Sequence, residues 1–310
     1  MLRRWFSNGG LTVNIVGVEF KNPVITASGT FGFGREYSEF YPLREIGGLS
    51  CKGITLKPRM GNPPPRIAET PSGILNAVGL QNPGVDHFIE QDLPWLKEQE
   101  TVVIANIAGN TPEEYAQMAE KLSESSVDMI EMNISCPNVK HGGVQFGTSC
   151  QSVGAITREV RAHCKKPLMV KLSPNVSDIA EIARAAESEG ADALSLINTL
   201  TGMRIDINTR RPIIRNNTGG LSGPAVFPVA VRMVWQTAGA VKIPVVGMGG
   251  ISTWRDAVEM MLAGASAIQV GTALFSDPYA PLKIKEGLNR YLDDQGIASV
   301  TELAGMVKPW

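Results

Sequence analysis

Residues 244–272 read PVVGMGGISTWRDAVEMMLAGASAIQVGT, and this stretch decides the fold. An apolar run from Pro244 to Met248 stops at Gly249 and Gly250. An amphipathic segment follows from Ser252 to Ala263, and a second short apolar run, Ala267 to Val270, stops at Gly271 and Thr272. A brief run that does not alternate polar with apolar residues is a strand buried on both faces. Two such strands joined by a helix form one β-α-β unit of a parallel sheet.

Working outward, the same unit recurs along the chain. Apolar, β-rich runs occupy 24–28, 49–55, 102–108, 129–135, 168–172, 193–198, 244–248 and 267–270, each followed by a loop-forming residue. Helical patterns stand between them at 177–189, 225–238 and 252–263. Another opens at Thr111, a capping residue with Pro112 at the first helical position and Glu114 three residues after the cap, and runs to about Ser123. Eight strand-helix units predict an α/β fold, a single (β/α)8 TIM barrel spanning residues 1–310 as one domain. Two connections are longer than such loops need, from 56 to about 87 after strand 2 and from 199 to 224 after strand 6. Both leave strand C-terminal ends, where barrel enzymes keep their active sites, so they are expected to wall or cover the site.

The 29 basic residues balance 30 acidic ones, which removes any net field for nucleic acid or anionic lipid. The expected ligand is therefore a small molecule. Cys51, Cys136, Cys150 and Cys164 are too few and too irregularly spaced for a disulfide framework, as in a reducing cytoplasm. Except for Cys136, they read as small buried hydrophobes. Arg3 and Arg4 precede no apolar stretch long enough for a signal peptide or a membrane span. His87, His141 and His163 show no metal-ligand spacing, and no metal is expected.

The chemistry is expected at two places. The loops after strands 7 and 8, with Gly249-Gly250 and Gly271-Thr272, suit a phosphate, because glycine lets backbone N–H groups approach the anion and a helix N-terminus favours negative charge. No G-x-G-x-x-G occurs in the chain, so the phosphate belongs to a mononucleotide or a sugar phosphate rather than to a dinucleotide. After strand 4, Cys136 lies on a loop leading to Gly142-Gly143, placed for proton transfer or nucleophilic attack. Lys171 closes strand 5, Lys52 falls within strand 2, Asn106 near the end of strand 3 and Asn198 at the end of strand 6. Two lysines directed into a barrel imply a bound anion, since burying an unpaired charge is costly.

The segments Ser28, Lys52-Gly53, Asn76-Ala77-Val78-Gly79-Leu80, Asn133-Ile134-Ser135-Cys136-Pro137-Asn138, Lys171, Ile197-Asn198-Thr199, Ser222-Gly223-Pro224, Gly249-Gly250 and Gly271-Thr272 together resemble the class 1 dihydroorotate dehydrogenases. Lys140-His141-Gly142-Gly143 is most similar to the NAD-linked 1B catalytic subunits. The resemblance implies oxidation of dihydroorotate to orotate in pyrimidine biosynthesis, with FMN as the immediate acceptor and Cys136 as the base. It implies FMN binding by Ser28, Lys52, Gly53, Asn106, Asn133, Lys171, Ile197, Gly223, Gly249, Gly250, Gly271 and Thr272. It implies substrate binding by Lys52, Asn76, Ala77, Val78, Gly79, Leu80, Asn133, Asn138, Asn198 and Thr199. It further implies a catalytic homodimer within a cytoplasmic heterotetramer, whose electron-transfer subunit carries FAD and a [2Fe–2S] cluster.

Other readings stay open at this stage. A class 1A enzyme would hand electrons to fumarate at the same flavin, and a dihydropyrimidine dehydrogenase-like subunit would share barrel, FMN and cysteine. An aldolase would use Lys171 as a Schiff base with the glycine loops on a sugar phosphate, and a flavin-binding module would have no use for Cys136.

Overall fold

The structure, a computed structural model, describes residues 10–134 and 146–310. Eight parallel strands close into a barrel: β1 Val24–Thr26, β2 Gly48–Ser50, β3 Val102–Ile107, β4 Met129–Asn133, β5 Leu168–Lys171, β6 Ala193–Leu196, β7 Val245–Met248 and β8 Ala267–Val270. Each pairs with its neighbours in sequence and β8 returns to β1, with Ile268 beside Val24. Seven of the eight are buried at every position, and β3 opens only at Val102. That burial on both faces is why the runs do not alternate.

The main helices are α1 Leu93–Glu98, α2 Pro112–Ser123, α3 Cys150–His163, α4 Ile179–Ser188, α5 Phe227–Ala238, α6 Trp254–Leu262 and α7 Ala280–Gln295, and α2, α3, α4 and α6 begin at a side-chain cap. The Thr111 hydroxyl accepts from the Glu114 N–H at the start of α2, as the sequence predicts. Thr253 and Asp256 form a reciprocal capping box at the start of α6. The first unit departs from the pattern. Between β1 and β2 there is only the four-residue helix Arg35–Ser38 and a single 3-10 turn, Leu43–Glu45. Of the free cysteines, Cys51 and Cys164 are buried, but Cys150 is exposed at the first residue of α3.

The two insertions are not separate loops. Ile67–Thr70 and Gly73–Asn76 from the first join Leu200–Gly202 and Gly219–Ser222 from the second in one four-stranded antiparallel sheet. The joining pair is Gly73–Asn76 with Gly219–Ser222, in which Asn76 lies beside Gly220. Leu75, Ala77 and Ile214 form a small second core beneath it, separate from the barrel core. Asn76 ends one strand of this sheet, and Thr199 immediately precedes another, Leu200–Gly202.

Gly220 is the tight point of that sheet: a Cβ there would lie 2.0 Å from the Thr199 hydroxyl oxygen and 2.6 Å from its Cβ. Gly220→Ala must push Thr199 and its strand aside. Limited proteolysis should show faster cleavage within 199–224 while the barrel's thermal unfolding changes little; an unaltered cleavage pattern would mean that the insertion tolerates the contact.

Candidate active site

The centre of the barrel holds a charge. Glu131, in the middle of β4, has no exposed surface. Its Oε2 accepts from the Ser50 hydroxyl at 2.7 Å and from Asn106 Nδ2 at 2.6 Å. Its Oε1 accepts from the Ser195 hydroxyl and from Gln269 Nε2, both at 2.8 Å. Lys171 Nζ stands 3.9 Å from Oε2 and donates to the Ser28 hydroxyl at 3.1 Å. Donors from β2, β3, β6 and β8 thus converge on one carboxylate of β4, with the cation of β5 beside it.

Burial alone would raise the Glu131 carboxyl above its ordinary range. The Lys171 charge and then the hydrogen bonds from Ser50, Ser195 and Gln269 outweigh that burial, and the net direction is down. The group is therefore an ionised acceptor with its lone pairs filled.

Above this network a cleft of about 1220 Å³, counting the space open at its mouth, lies at the C-terminal ends of the strands. Ser28, Lys52, Gly53, Asn106, Asn133, Lys171, Ile197, Asn198 and Thr199 line it, as do Asn76, Val78, Gly79 and Leu80 from the first insertion. Gly249, Gly250, Gly271 and Thr272 complete the predicted set on its wall.

Two positions differ from the strand assignments. Lys52 lies two residues past the end of β2, where its N–H donates to the Gly32 carbonyl, and Asn198 lies two residues past β6. Both therefore belong to the loops of the mouth rather than to the ladder.

Ala77 packs in the small core of the insertion sheet with Leu75 and Ile214 and is not on the cleft wall. Gly223 stands behind the wall: a Cβ there would meet Gly73 at 2.7 Å, and its carbonyl oxygen lies 2.8 Å from where a Gly250 Cβ would sit. Gly223 thus lets the two loops close together. Cys136 and Asn138 lie outside the described residues.

Neighbouring polar contacts orient the wall. Asn198 Nδ2 donates to Asn133 Oδ1 at 3.3 Å, and the Tyr115 hydroxyl donates to the Asn133 carbonyl at 2.7 Å. Asn198 Oδ1 in turn accepts from the Thr199 N–H. At the glycine end, Gly250 has a φ of 79°, and a Cβ would lie 2.7 Å from Phe227 Cβ, so only glycine fits there. The Thr272 hydroxyl donates to the Ser222 hydroxyl at 2.8 Å, tying the loop after β8 to the insertion sheet.

Sequence reasoning missed Glu131 and Gln269, which the structure puts at the centre. Each was detectable as a polar residue inside a run otherwise apolar, Met-Ile-Glu-Met and Ala-Ile-Gln-Val. It also missed Ala27, Gly29, Thr30 and Phe275 on the cleft wall, which carry no local signal.

Comparison with known proteins identifies what the chain is similar to. A family model described as dihydroorotate dehydrogenase matches residues 10–292. The dihydroorotate dehydrogenase B (NAD(+)) catalytic subunit of Bacteroides thetaiotaomicron is 57% identical over 299 residues, 96% of this chain and 99% of that one. The protein of the same name from Geobacter sulfurreducens is 57% identical over 299 residues, covering 96% and 98%. That of Petrotoga mobilis is 53% identical over 295 residues, covering 95% and 98%.

Removing the Lys171 cation should expose how much the buried pair contributes. Lys171→Met leaves Glu131 without its counter-charge and should destabilise the ligand-free chain by roughly 3 kcal/mol at neutral pH. A carboxyl held low contributes stability above its unfolded pKa, and that contribution is lost as pH falls through its folded value. In the variant the carboxyl rises, so the difference from the parent should shrink toward about pH 4, the ordinary carboxylate range. Urea unfolding at the two pH values checks this; an equal difference at both would mean that the pair does not couple.

Proposed function

We propose, on the footing that the chain belongs to the dihydroorotate dehydrogenase family, that it oxidises (S)-dihydroorotate to orotate in de novo pyrimidine (UMP) biosynthesis. It does so as the catalytic subunit of an NAD-linked, B-type enzyme, an FMN flavoprotein acting on a CH–CH bond. The observation that carries this reading is the near-full-length match to B-type catalytic subunits, together with a cleft that joins a glycine-lined end to a buried cation.

The residues present fit FMN. Asn106 Oδ1 and Gln269 Oε1 are buried at the cleft without a hydrogen-bond partner among the described residues, as acceptors awaiting a ligand N–H. The crowding at Gly249 and Gly250 leaves no room for side chains and keeps backbone open to a phosphate. Gly249, Gly250, Gly271 and Thr272 would hold the phosphate, with Gly223 supporting that loop. Ser28, Lys52, Gly53, Asn106, Asn133, Lys171 and Ile197 would hold the ring system. When bound, FMN supplies the acceptor for the hydride from C6 of the substrate.

The chain's own residues supply the rest. Cys136, three residues beyond Asn133 in the sequence, removes the C5 proton as a thiolate. Asn76, Asn133, Asn138, Asn198 and Thr199 fix the amide edges and carboxylate of the pyrimidine, since asparagine both donates and accepts. Residues Ala77, Val78, Gly79 and Leu80 carry Asn76 into the cleft, and Lys52 offsets negative charge between the two ligands. Lys171 stabilises charge that develops on the cofactor.

The relatives bear the name of a catalytic subunit, which supports a separate electron-transfer subunit. That partner carries FAD and a [2Fe–2S] cluster in this reading, around a homodimer of the present chain within a heterotetramer. Among the described residues no helix is long and apolar enough to cross a membrane, and the proposed location is the cytoplasm.

Anaerobic addition of dihydroorotate to the purified chain should bleach the absorbance of its bound flavin without the partner. A flavin that stays oxidised would overturn the reading. Cys136→Ser should slow this bleaching by ~10² to 10⁴ at neutral pH while FMN stays bound. The parent should accelerate with pH toward the thiol range near ~8.5. A near-normal rate in the variant would remove Cys136 from the mechanism.

A further inference from the structure

Glu131 does more than satisfy itself. An ionised carboxylate can only accept, so each amide that touches it must turn its NH2 inward. That forces the oxygens of Asn106 and Gln269 away from the carboxylate, and both of these oxygens lack a hydrogen bond among the described residues. Both residues line the cleft, and so does Lys171, whose Nζ is 3.9 Å from the same carboxylate. A carboxylate that served the core alone would have no reason to leave two buried acceptors unmet at the edge of a cavity.

We propose that Glu131 is a positioning residue for the cofactor: it fixes the Asn106 and Gln269 amides with their oxygens available to the cleft and holds Lys171 as a cation beside them. This rests on the FMN reading above. FMN offers a ring N–H and ribityl hydroxyls to acceptors and takes on negative charge when reduced, so a pattern of two acceptors and one cation matches it. The other titratable groups near this cluster among the described residues are Cys51, whose thiol is pushed up chiefly by burial and next by the Asp92 charge, and Lys52 across the cleft.

Glu131→Gln is nearly isosteric but brings an NH2 group where only acceptors stood. Asn106 or Gln269 must flip or lose its bond, and Lys171 loses its counter-charge. The expected result is an FMN dissociation constant raised about tenfold or more, the cost of a misdirected buried hydrogen bond. In the variant saturated with FMN, the visible absorption bands of the oxidised cofactor should shift, because the amides that Glu131 orients toward the cleft no longer face it in the same way. Unchanged affinity and an unchanged spectrum would overturn the proposal.

If Glu131→Gln does not fold, Gln269→Leu keeps the carboxylate and Lys171. It should weaken FMN binding; parental affinity there would equally overturn the proposal. A parent chain that binds no FMN at all would sink the cofactor reading instead, whereas a parent that binds FMN with both variants unchanged sinks this proposal alone.

Discussion

A carboxylate buried in the middle of a closed barrel has no water to turn to, and everything around it follows from that constraint. Four hydrogen bonds from four other strands must reach it at once. This is possible only if Ser50, Asn106, Ser195 and Gln269 stand at the same level as Glu131. The ladder puts Asn106 beside Glu131, Asn133 beside Lys171 and Lys171 beside Ser195. A slip of a single residue in any of these strands would turn its polar group to the helix side and leave the charge short of a donor. The apolar residues give the barrel its stability, but they would fit several registers nearly as well. The polar set specifies which one.

The same constraint connects core to cleft. Two of the groups that donate to Glu131, Asn106 and Gln269, also line the cavity, so the chemistry of the mouth is set partly from inside the barrel. The wall on the other side is built differently. It consists of two insertions that meet in one sheet, with Thr272 hydrogen-bonded to Ser222 where that sheet meets the loop after β8. The floor is held by the hydrogen bonds that converge on Glu131, and the wall by the pairing of its strands.

Most of the barrel was legible in the chain because buried parallel strands have a simple signature. All eight runs correspond to strands, and the Thr111-Pro112-Glu114 start of α2 stands where capping chemistry places it. The ends were read too long. Of the run 49–55 only Leu49 and Ser50 belong to the regular strand, after which the chain touches β3 again through an isolated bridge at Ile54. Its apolar residues face the core without belonging to the ladder, and periodicity does not separate those cases. The joined sheet of the insertions had no local signal at all, since Gly73–Asn76 and Gly219–Ser222 pair across a separation of more than a hundred residues. Nearly all the described site residues named from the sequence do meet in one cleft. Glu131 was overlooked although a charge inside a doubly buried strand is itself a signal. The family resemblance weighed the residues facing a ligand and passed over the one behind them.

The insertion sheet has a bearing on how this protein can vary over generations. Each insertion hangs from a different strand of the barrel, yet neither has a complete set of backbone partners by itself. Shortening one would strand the other with an open edge, an invitation to associate with whatever chain passes. The two segments are thus bound to a common history: a tolerated change of length in the first calls for a matching change in the second, although a hundred residues of unrelated barrel lie between them.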